Sequence, residues 1–340
     1  VNAVRKPISL ALQGGGAHGA FTWGVLDLLL EDGRLAIEAI SGTSAGAMNA
    51  VVLANGWLDG GAKGARTKLE AYWRAVSSDG KLSATQRTVF DSFLSASPLN
   101  GFGIGAFWLD LFKQSASPYN FNPLNINPLR DFLESEINFG RVRACTDIKL
   151  FIAATNVETG KVKIFEGHEL TPDHVMASAC LPTVFQAVVI DGVPYWDGGY
   201  MGNPALYPLI YGAGTDDILL VQINPVERKG TPKTPRDIQN RLNEITFNAT
   251  LLREMRAIDF VTRLIDKGKL STQQYKKVLM HRIALSESLK NIDASSKSDA
   301  KWDFFVMLKK AGRAAARKWL DAHFDDIGAR STIDLRKEFG

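Results

Sequence analysis

Two short stretches of this chain combine residue types and spacings suited to acyl chemistry. GTSAG, residues 42 to 46, fits the GxSxG pattern, in which a serine at the apex of a tight strand-to-helix turn is presented as a nucleophile. Ser44 then stands at a helix N-terminus, where the positive end of the dipole favours developing negative charge. Gly42 and Gly46 flank it because a side chain at either position would collide with the adjoining strand or helix. Upstream, GGGAHG at residues 14 to 19 is a loop whose Gly15 and Gly16 can turn backbone N–H groups toward a substrate oxygen. Ala45, directly after the serine, supplies a third donor, so the three amides suit the oxyanion of a tetrahedral intermediate.

Gly14, Gly16 and Gly19 also satisfy the GxGxxG spacing of dinucleotide sites. Such a site needs an acid at the end of the next strand to hold a ribose hydroxyl. Here that strand ends in SGTSAG and Glu38 lies within it, so the loop reads as a cradle for an oxyanion and not a pyrophosphate.

A serine nucleophile needs a base. His281 and His323 are the histidines that follow the hairpin aspartates, and neither lies in a recognisable strand-end loop. Asp197 in YWDGGY is the stronger partner: Gly198 and Gly199 force a tight, exposed turn with the carboxylate at its tip. An aspartate in an apolar setting binds protons more tightly and can serve as the base directly. Asp-Gly is also an ordinary turn dipeptide, so the weight lies on the three pieces together.

Taken together, GGGAHG, GTSAG and DGG at 197 to 199 resemble the patatin-like phospholipase family, in which they match the oxyanion loop, the nucleophile elbow and the motif of the second catalytic residue. ATNVETGKVKIF and ASACLPTVFQAVVIDGVPYWDGGYMGNPAL resemble that family's later core strands and the Pro-containing segment before its aspartate, and the resemblance covers about residues 7 to 225. It implies a three-layer α/β fold with a mainly parallel central sheet, a Ser44–Asp197 dyad without histidine, no cofactor, and hydrolysis of phospholipid or other acyl-ester lipids by a phospholipase A or lysophospholipase type of enzyme. The family usually has Arg or Lys where this chain has His18. A charge near the oxyanion is then absent or pH-dependent, unless His18 faces outward and only braces the loop. Acyl transfer, intracellular polyester depolymerisation and an inactive lipid-binding or interaction role stay open as alternatives.

These residues have to be positioned by alternating elements. Ile8 to Leu12 reads as a buried strand running into the glycine loop, FTWGVLDLLLEDG as a helix stopped by Asp32 and Gly33, and Ala36 to Ile40 as a strand entering the elbow. That order begins a parallel sheet. IKLFIAATNV and DILLVQINP read as buried strands, KVKIFEG as a more exposed one, TPDHVMASACLP as a short helix, and VVIDGVPYWDGG as a hairpin turning at Asp191 and Gly192. The sheet is expected to be complete by about Pro225, which gives a catalytic domain over 7–225 and a mostly helical extension over 226–340 packed on it. In that extension the pattern predicts a long helix after Thr231, a strand at YKKVLMHRIAL and a helix from Trp302 to Phe324. Residues from about 80 to 125 read as a lid-like insertion. Its Phe90, Phe93, Leu94, Phe102, Ile104, Phe107, Trp108, Leu109, Leu111 and Phe112 suit an acyl chain or a membrane surface, or equally a core beneath the C-terminal helices.

Composition agrees with a globular protein: 340 residues, 45% hydrophobic and 22% charged. A net charge of +4 is too small to point to nucleic acid, and the basic KKAGRAAARKW reads as a solvated helix face ahead of a patch for anionic lipid. There is no apolar signal-peptide centre and no run of about eighteen apolar residues, so the expectation is a cytoplasmic protein that meets membranes peripherally. Two cysteines without a CxxC partner and five scattered histidines predict neither a disulfide framework nor a metal site. Nothing in the sequence sets the oligomeric state.

Overall fold

The structure is a computed structural model and describes residues 5–77, 80, 117–125, 127–285 and 301–339. At its centre is an eight-stranded sheet. β1 (Lys6–Leu12) pairs in parallel with β2 (Leu35–Gly42) on one side and with β7 (Asp217–Gln222) on the other. β3 (Lys149–Asn156) adds to β2 in parallel. Beyond it the sense reverses, as β4 (Val162–Glu166) and β6 (Val193–Asp197) run antiparallel to β3, and β5 (Val188–Ile190) forms a hairpin with β6. Asp191 and Gly192 make that hairpin turn with positive φ, as their types predict.

The central strands are mostly apolar because both faces are covered, and their side chains alternate between two cores. Leu10, Leu12, Leu219 and Val221 face one core with α1 (Gly19–Asp32), α2 (Ala45–Val76) and α9 (Trp302–His323). Ala11, Ile218 and Leu220 face the other, with α7 (Tyr207–Gly212), α8 (Pro235–Asp266) and α10 (Leu335–Phe339). The result is the three-layer α/β arrangement with a helical C-terminal region. The shorter helices α3 (Pro118–Phe121), α4 (Pro128–Glu136), α5 (Phe139–Ala144) and α6 (Pro172–Ser178) complete the α2 side and the approach to β6. Each has the start its sequence encodes: Pro sits in the first turn of α3, α4 and α6, and the Asn138 side chain caps α5.

Two features differ from the sequence reading. The sheet does not end near Pro225: β8 (Leu279–Ala284), from YKKVLMHRIAL, pairs in parallel with β7 from Asp217–Leu279 to Gln222–Ala284. An edge strand separated from its neighbour by a long helix leaves no local trace of its pairing, which is why the sequence marks it as a strand but not as part of this sheet. The basic run on α9 is a solvated face only in part: Lys310, Arg317 and Lys318 are exposed, while Lys309 and Arg313 turn toward α1 and α2. Lys309 pairs with Glu70 at 3.0 Å, Arg313 with Asp27 and Glu31, and Arg317 with Asp32 at 3.5 Å. The lid-like reading of about 80–125 falls largely outside the described residues, where all ten apolar residues from Phe90 to Phe112 lie.

Helix α1 is buried on nearly every side, with no polar face, because α9 covers the side turned away from the sheet. Its one buried charge, Asp27, bonds Arg66 at 2.9 Å and also Arg313. Burial pushes the Asp27 carboxyl up, but the Arg66 hydrogen bond and the charges of Lys309, Arg66 and Arg313 hold it below its ordinary value. Where α1 and α9 cross, a Cβ on Gly24 would lie 2.1 Å from the Lys309 carbonyl oxygen, and one on Gly312 would lie 2.1 Å from that of Phe21. Backbone meets backbone there, so nothing flexible can yield. Gly24→Ala is therefore expected to lower the unfolding free energy by about 1–3 kcal/mol, read from chemical denaturation, as overpacking of a closed core does.

Candidate active site

β2 ends at Gly42, and the chain turns through Thr43 and Ser44 into α2. Ser44 takes φ 54° and ψ −120°, a conformation that a non-glycine residue adopts only when its surroundings impose it. Three contacts do so here. The Gly46 amide donates to the Thr43 carbonyl at 2.8 Å, the Ser44 amide donates to Ser178 Oγ on α6 at 2.9 Å, and the Thr43 hydroxyl donates to the Gly202 carbonyl at 2.6 Å. The turn is also crowded, since a Cβ on Gly46 would lie 2.2 Å from the Leu12 carbonyl oxygen and one on Gly42 would lie 2.8 Å from that of Gly46.

The glycine loop lies against this elbow. A Cβ on Gly14 would sit 2.8 Å from Ser44 Cβ, and one on Gly19 would sit 2.9 Å from Ala45 Cβ. Gly16 has φ 57°, and residues Gly16–His18 form a single 3₁₀ turn closed by the His18 amide on the Gly15 carbonyl at 3.2 Å. The Gly14 amide is taken by Asn203 Oδ1 at 2.7 Å. The Gly15 and Gly16 amides hold no hydrogen bond among the described residues, and the Ala45 amide, first in α2, has no partner within the helix. Beside the serine, then, lie N–H groups free for an oxygen.

Asp197, far from Ser44 in the chain, reaches it because of how β3 is paired. One edge of β3 is occupied by β4 over Phe151–Thr155. The other edge carries β2 up to Ile152, opposite Gly42, and then β6 from Ala154, opposite Asp197. The end of β6 thus stands where β2 stops, next to the elbow. The carboxylate is not at the tip of an exposed turn: Asp197 is 1% exposed. Its Oδ1 accepts from the Gly199 amide at 2.6 Å, and the Ser44 side chain lies close enough to pull the carboxyl toward its charged form. Its amide donates to the Cys180 carbonyl at 2.8 Å, and its carbonyl accepts from Thr155 Oγ1 at 2.8 Å. Burial pushes the carboxyl up to about 7, against the pull of the Gly199 amide and the Ser44 hydroxyl. Gly198 fits because its missing Cβ would strike the Ala153 carbonyl at 2.1 Å, while Gly199 faces Phe247 of α8.

The remaining candidates separate. His18 does not face outward: it is 5% exposed, with its ring 6.4 Å from that of Phe304 on α9. His281 is buried on β8, its Nε2 2.8 Å from Asp217 Oδ1 and its Nδ1 3.1 Å from Thr332 Oγ1. With β1 and β7 between β2 and β8, it ties the sheet edge to the C-terminal segment. His323 ends α9 and pairs with Asp326 at 2.9 Å. Cys145 and Cys180 are both free thiols, and burial pushes Cys180 up to about 12. Sequence reasoning missed Gln13, Ser178, Asn203 and Asn224, all buried around the loop and elbow. Their positions beside the glycine and DGG motifs were the one available sign.

A family model described as patatin-like phospholipase matches residues 10–210. No curated protein sequence matches the chain. Among solved structures, VipD from Legionella pneumophila is similar at 16% identity and a TM-score of 0.40, over 91% of this chain and 67% of that one. The type III effector protein ExoU is similar at 14% identity and a TM-score of 0.38, over 96% of this chain and 54% of its own. Full-length SpcU in complex with full-length ExoU from Pseudomonas aeruginosa gives 14% identity and a TM-score of 0.34, over 93% of this chain and 53% of the matched chain. The chain therefore spans about half the length of the ExoU chains it resembles.

The buried carboxyl has a consequence for stability. Folded Asp197 keeps its proton up to about pH 7, whereas the unfolded chain releases it near the ordinary 3.8. Across that window the native state binds more protons, so this group's contribution to stability falls as pH rises. Glu254, which burial also pushes up to about 7, acts with the same sign. Denaturation midpoints of the wild type are expected to fall between about pH 4.5 and 7.5 through these groups. Asp197→Asn is expected to flatten part of that fall and to unfold later than wild type at the upper end; a variant with an unchanged slope would contradict it.

Proposed function

This chain belongs to the patatin-like phospholipase family, and from that premise we propose that it is a serine lipid acyl hydrolase of the phospholipase A or lysophospholipase type. The observation that carries the proposal is the placing of Ser44, at a strained elbow beside unpartnered amides, next to the buried Asp197 carboxyl that β6 brings to the end of β2. Asp197 accepts the serine proton as Ser44 Oγ attacks the ester carbonyl. The oxyanion of the tetrahedral intermediate takes hydrogen bonds from the Gly15, Gly16 and Ala45 amides. As the intermediate collapses, Asp197 passes the proton to the departing alcohol oxygen and leaves an acyl-serine. Water then gives a proton to Asp197 and its oxygen to the acyl carbon, and the carboxylic acid departs as the proton returns to Ser44.

A carboxylate titrating near neutrality suits this cycle, because a base that is too acidic is too weak to draw a proton from a serine hydroxyl. The substrate class follows from the family, and contact with a lipid surface would be peripheral. No helix in the described residues is long and apolar enough to cross a membrane. Acyl transfer shares the same acyl-serine and differs only in which hydroxyl or thiol replaces water.

A fluorophosphonate probe with a chromogenic short-chain ester tests the reading. Wild type is expected to be labelled at Ser44 and to hydrolyse the ester; Ser44→Ala loses both. Asp197→Asn is expected to cut kcat by about 10²–10⁴. The wild-type kcat/KM should rise with pH through about 7, as Asp197 gives up its proton. A folded wild type that is neither labelled nor active on any ester or phospholipid would refute the proposal.

A further inference from the structure

Glycine permits the backbone geometry of an oxyanion loop but does not hold it there. In this protein the holding is done by four buried amide side chains, two of them outside the family-matched residues 10–210. Both peptide groups that meet at Gly14 are held: its N–H donates to Asn203 Oδ1 at 2.7 Å, and its carbonyl accepts from Asn224 Nδ2 at 2.6 Å. Both grips are set by Gln13. Its Nε2 donates to the Asn203 carbonyl at 3.2 Å, while its Oε1 accepts from the Ile223 and Asn224 amides at 3.0 and 2.9 Å. The second Nε2 hydrogen leaves the strand layer and reaches Asn248 Oδ1 on α8 at 3.1 Å. Asn248 is oriented in turn by donating to the Pro225 and Glu244 carbonyls at 3.1 and 3.0 Å. Gln13, Asn203, Asn224 and Asn248 are each at most 2% exposed. Rotating Gln13, Asn203 or Asn248 would set buried donors against donors, and rotating Asn224 would set acceptor against acceptor, so the bonded arrangement is fixed although Asn203 Nδ2 itself has no partner among the described residues.

We propose that Gln13, Asn203, Asn224 and Asn248 are positioning residues that key the oxyanion loop to helix α8, so that the C-terminal region is part of the catalytic apparatus. The free N–H of Gly15 shares its peptide plane with the held Gly14 carbonyl and points opposite to it, and the free N–H of Gly16 follows one residue on. α8 also packs against the other half of the site: the Phe247 ring lies 5.3 Å from that of Tyr200 and covers Gly199, whose amide bonds Asp197. One helix therefore braces both the oxyanion loop and the base. This assignment rests on the acyl-hydrolase reading for its effect on turnover, but the bracing of the loop can be measured without it.

The test compares Asn224→Ala and Asn248→Ala with wild type in the full chain. With a soluble short-chain ester, Asn224→Ala is expected to lower kcat about 10- to 100-fold, less than outright loss of an oxyanion donor. KM should stay within about twofold, because the ground-state carbonyl depends little on these amides. Asn248→Ala, one bond further out, is expected to lower kcat about 3- to 10-fold, the scale of one ordinary hydrogen bond. Affinity for an alkyl boronate, which forms a tetrahedral adduct with serine, should fall by the same factors as kcat. Hydrogen exchange of the peptide covering residues 12 to 19 should quicken in both variants while that of α1 stays unchanged. A folded Asn224→Ala with wild-type kcat, boronate affinity and exchange overturns the proposal, as does a loss confined to KM. If Asn224→Ala does not fold, Asn248→Ala decides by the same criteria. A wild type without esterase activity would refute the enzyme reading, and the exchange measurement would still decide whether these residues hold the loop.

Discussion

The site depends on one edge of β3 having two successive partners. β2 runs beside that edge only as far as Gly42, and β6 takes over at Asp197, so two strands meet end to end against a third. A strand ending in mid-sheet leaves its last residues buried, and the chain must turn sharply there. That is why Ser44 is both strained and interior, and why the carboxylate beside it has lost almost all of its water. Burial then makes the aspartate hold its proton more tightly, and the amide of Gly199 and the hydroxyl of Ser44 are what keep it ionisable near neutrality.

The polar groups gathered at this junction would be a liability in a core unless each had a partner. Much of the sequence around the motifs serves that need. Ser178 takes the nucleophile's own amide, Thr43 and Thr155 cap carbonyls on the Asp197 side, and Gln13 with its three asparagines occupies the ends of the loop peptide. The amides left over are those of the loop and the first turn of α2. This polar shell is not complete, since Asn203 Nδ2 is also buried without a hydrogen-bond partner among the described residues.

Much of the local structure was legible in the residues. Asp191-Gly192 turns the hairpin, Thr171 and Pro172 start α6, Gly33 closes α1 in the left-handed region, and GTSAG makes the elbow. Each is a case where the allowed backbone angles or a cap depend on a few adjacent side chains. The sequence misled where solvent exposure was inferred from local pattern. YWDGGY suggested a carboxylate at an exposed tip, and KKAGRAAARKW suggested a solvated face. One is buried beyond the end of β2; in the other, Lys310 and Lys318 are exposed as expected, but Lys309, Arg313 and Arg317 pair with Glu70, Asp27, Glu31 and Asp32 of α1 and α2. The lack of a polar face on α1, whose one buried charge is Asp27, was the available hint that another helix covered it.

By itself, then, the sequence determined most of the sheet strands and the long helices, the turn at Ser44, and which residue types were suited to acyl chemistry, because these follow from sterics and periodicity over a few neighbouring residues. Only the tertiary structure decided that Asp197 meets Ser44, that β8 extends the sheet and that α8 reaches Gln13. Those contacts join segments far apart in the chain, and the strand register that creates them belongs to no single segment.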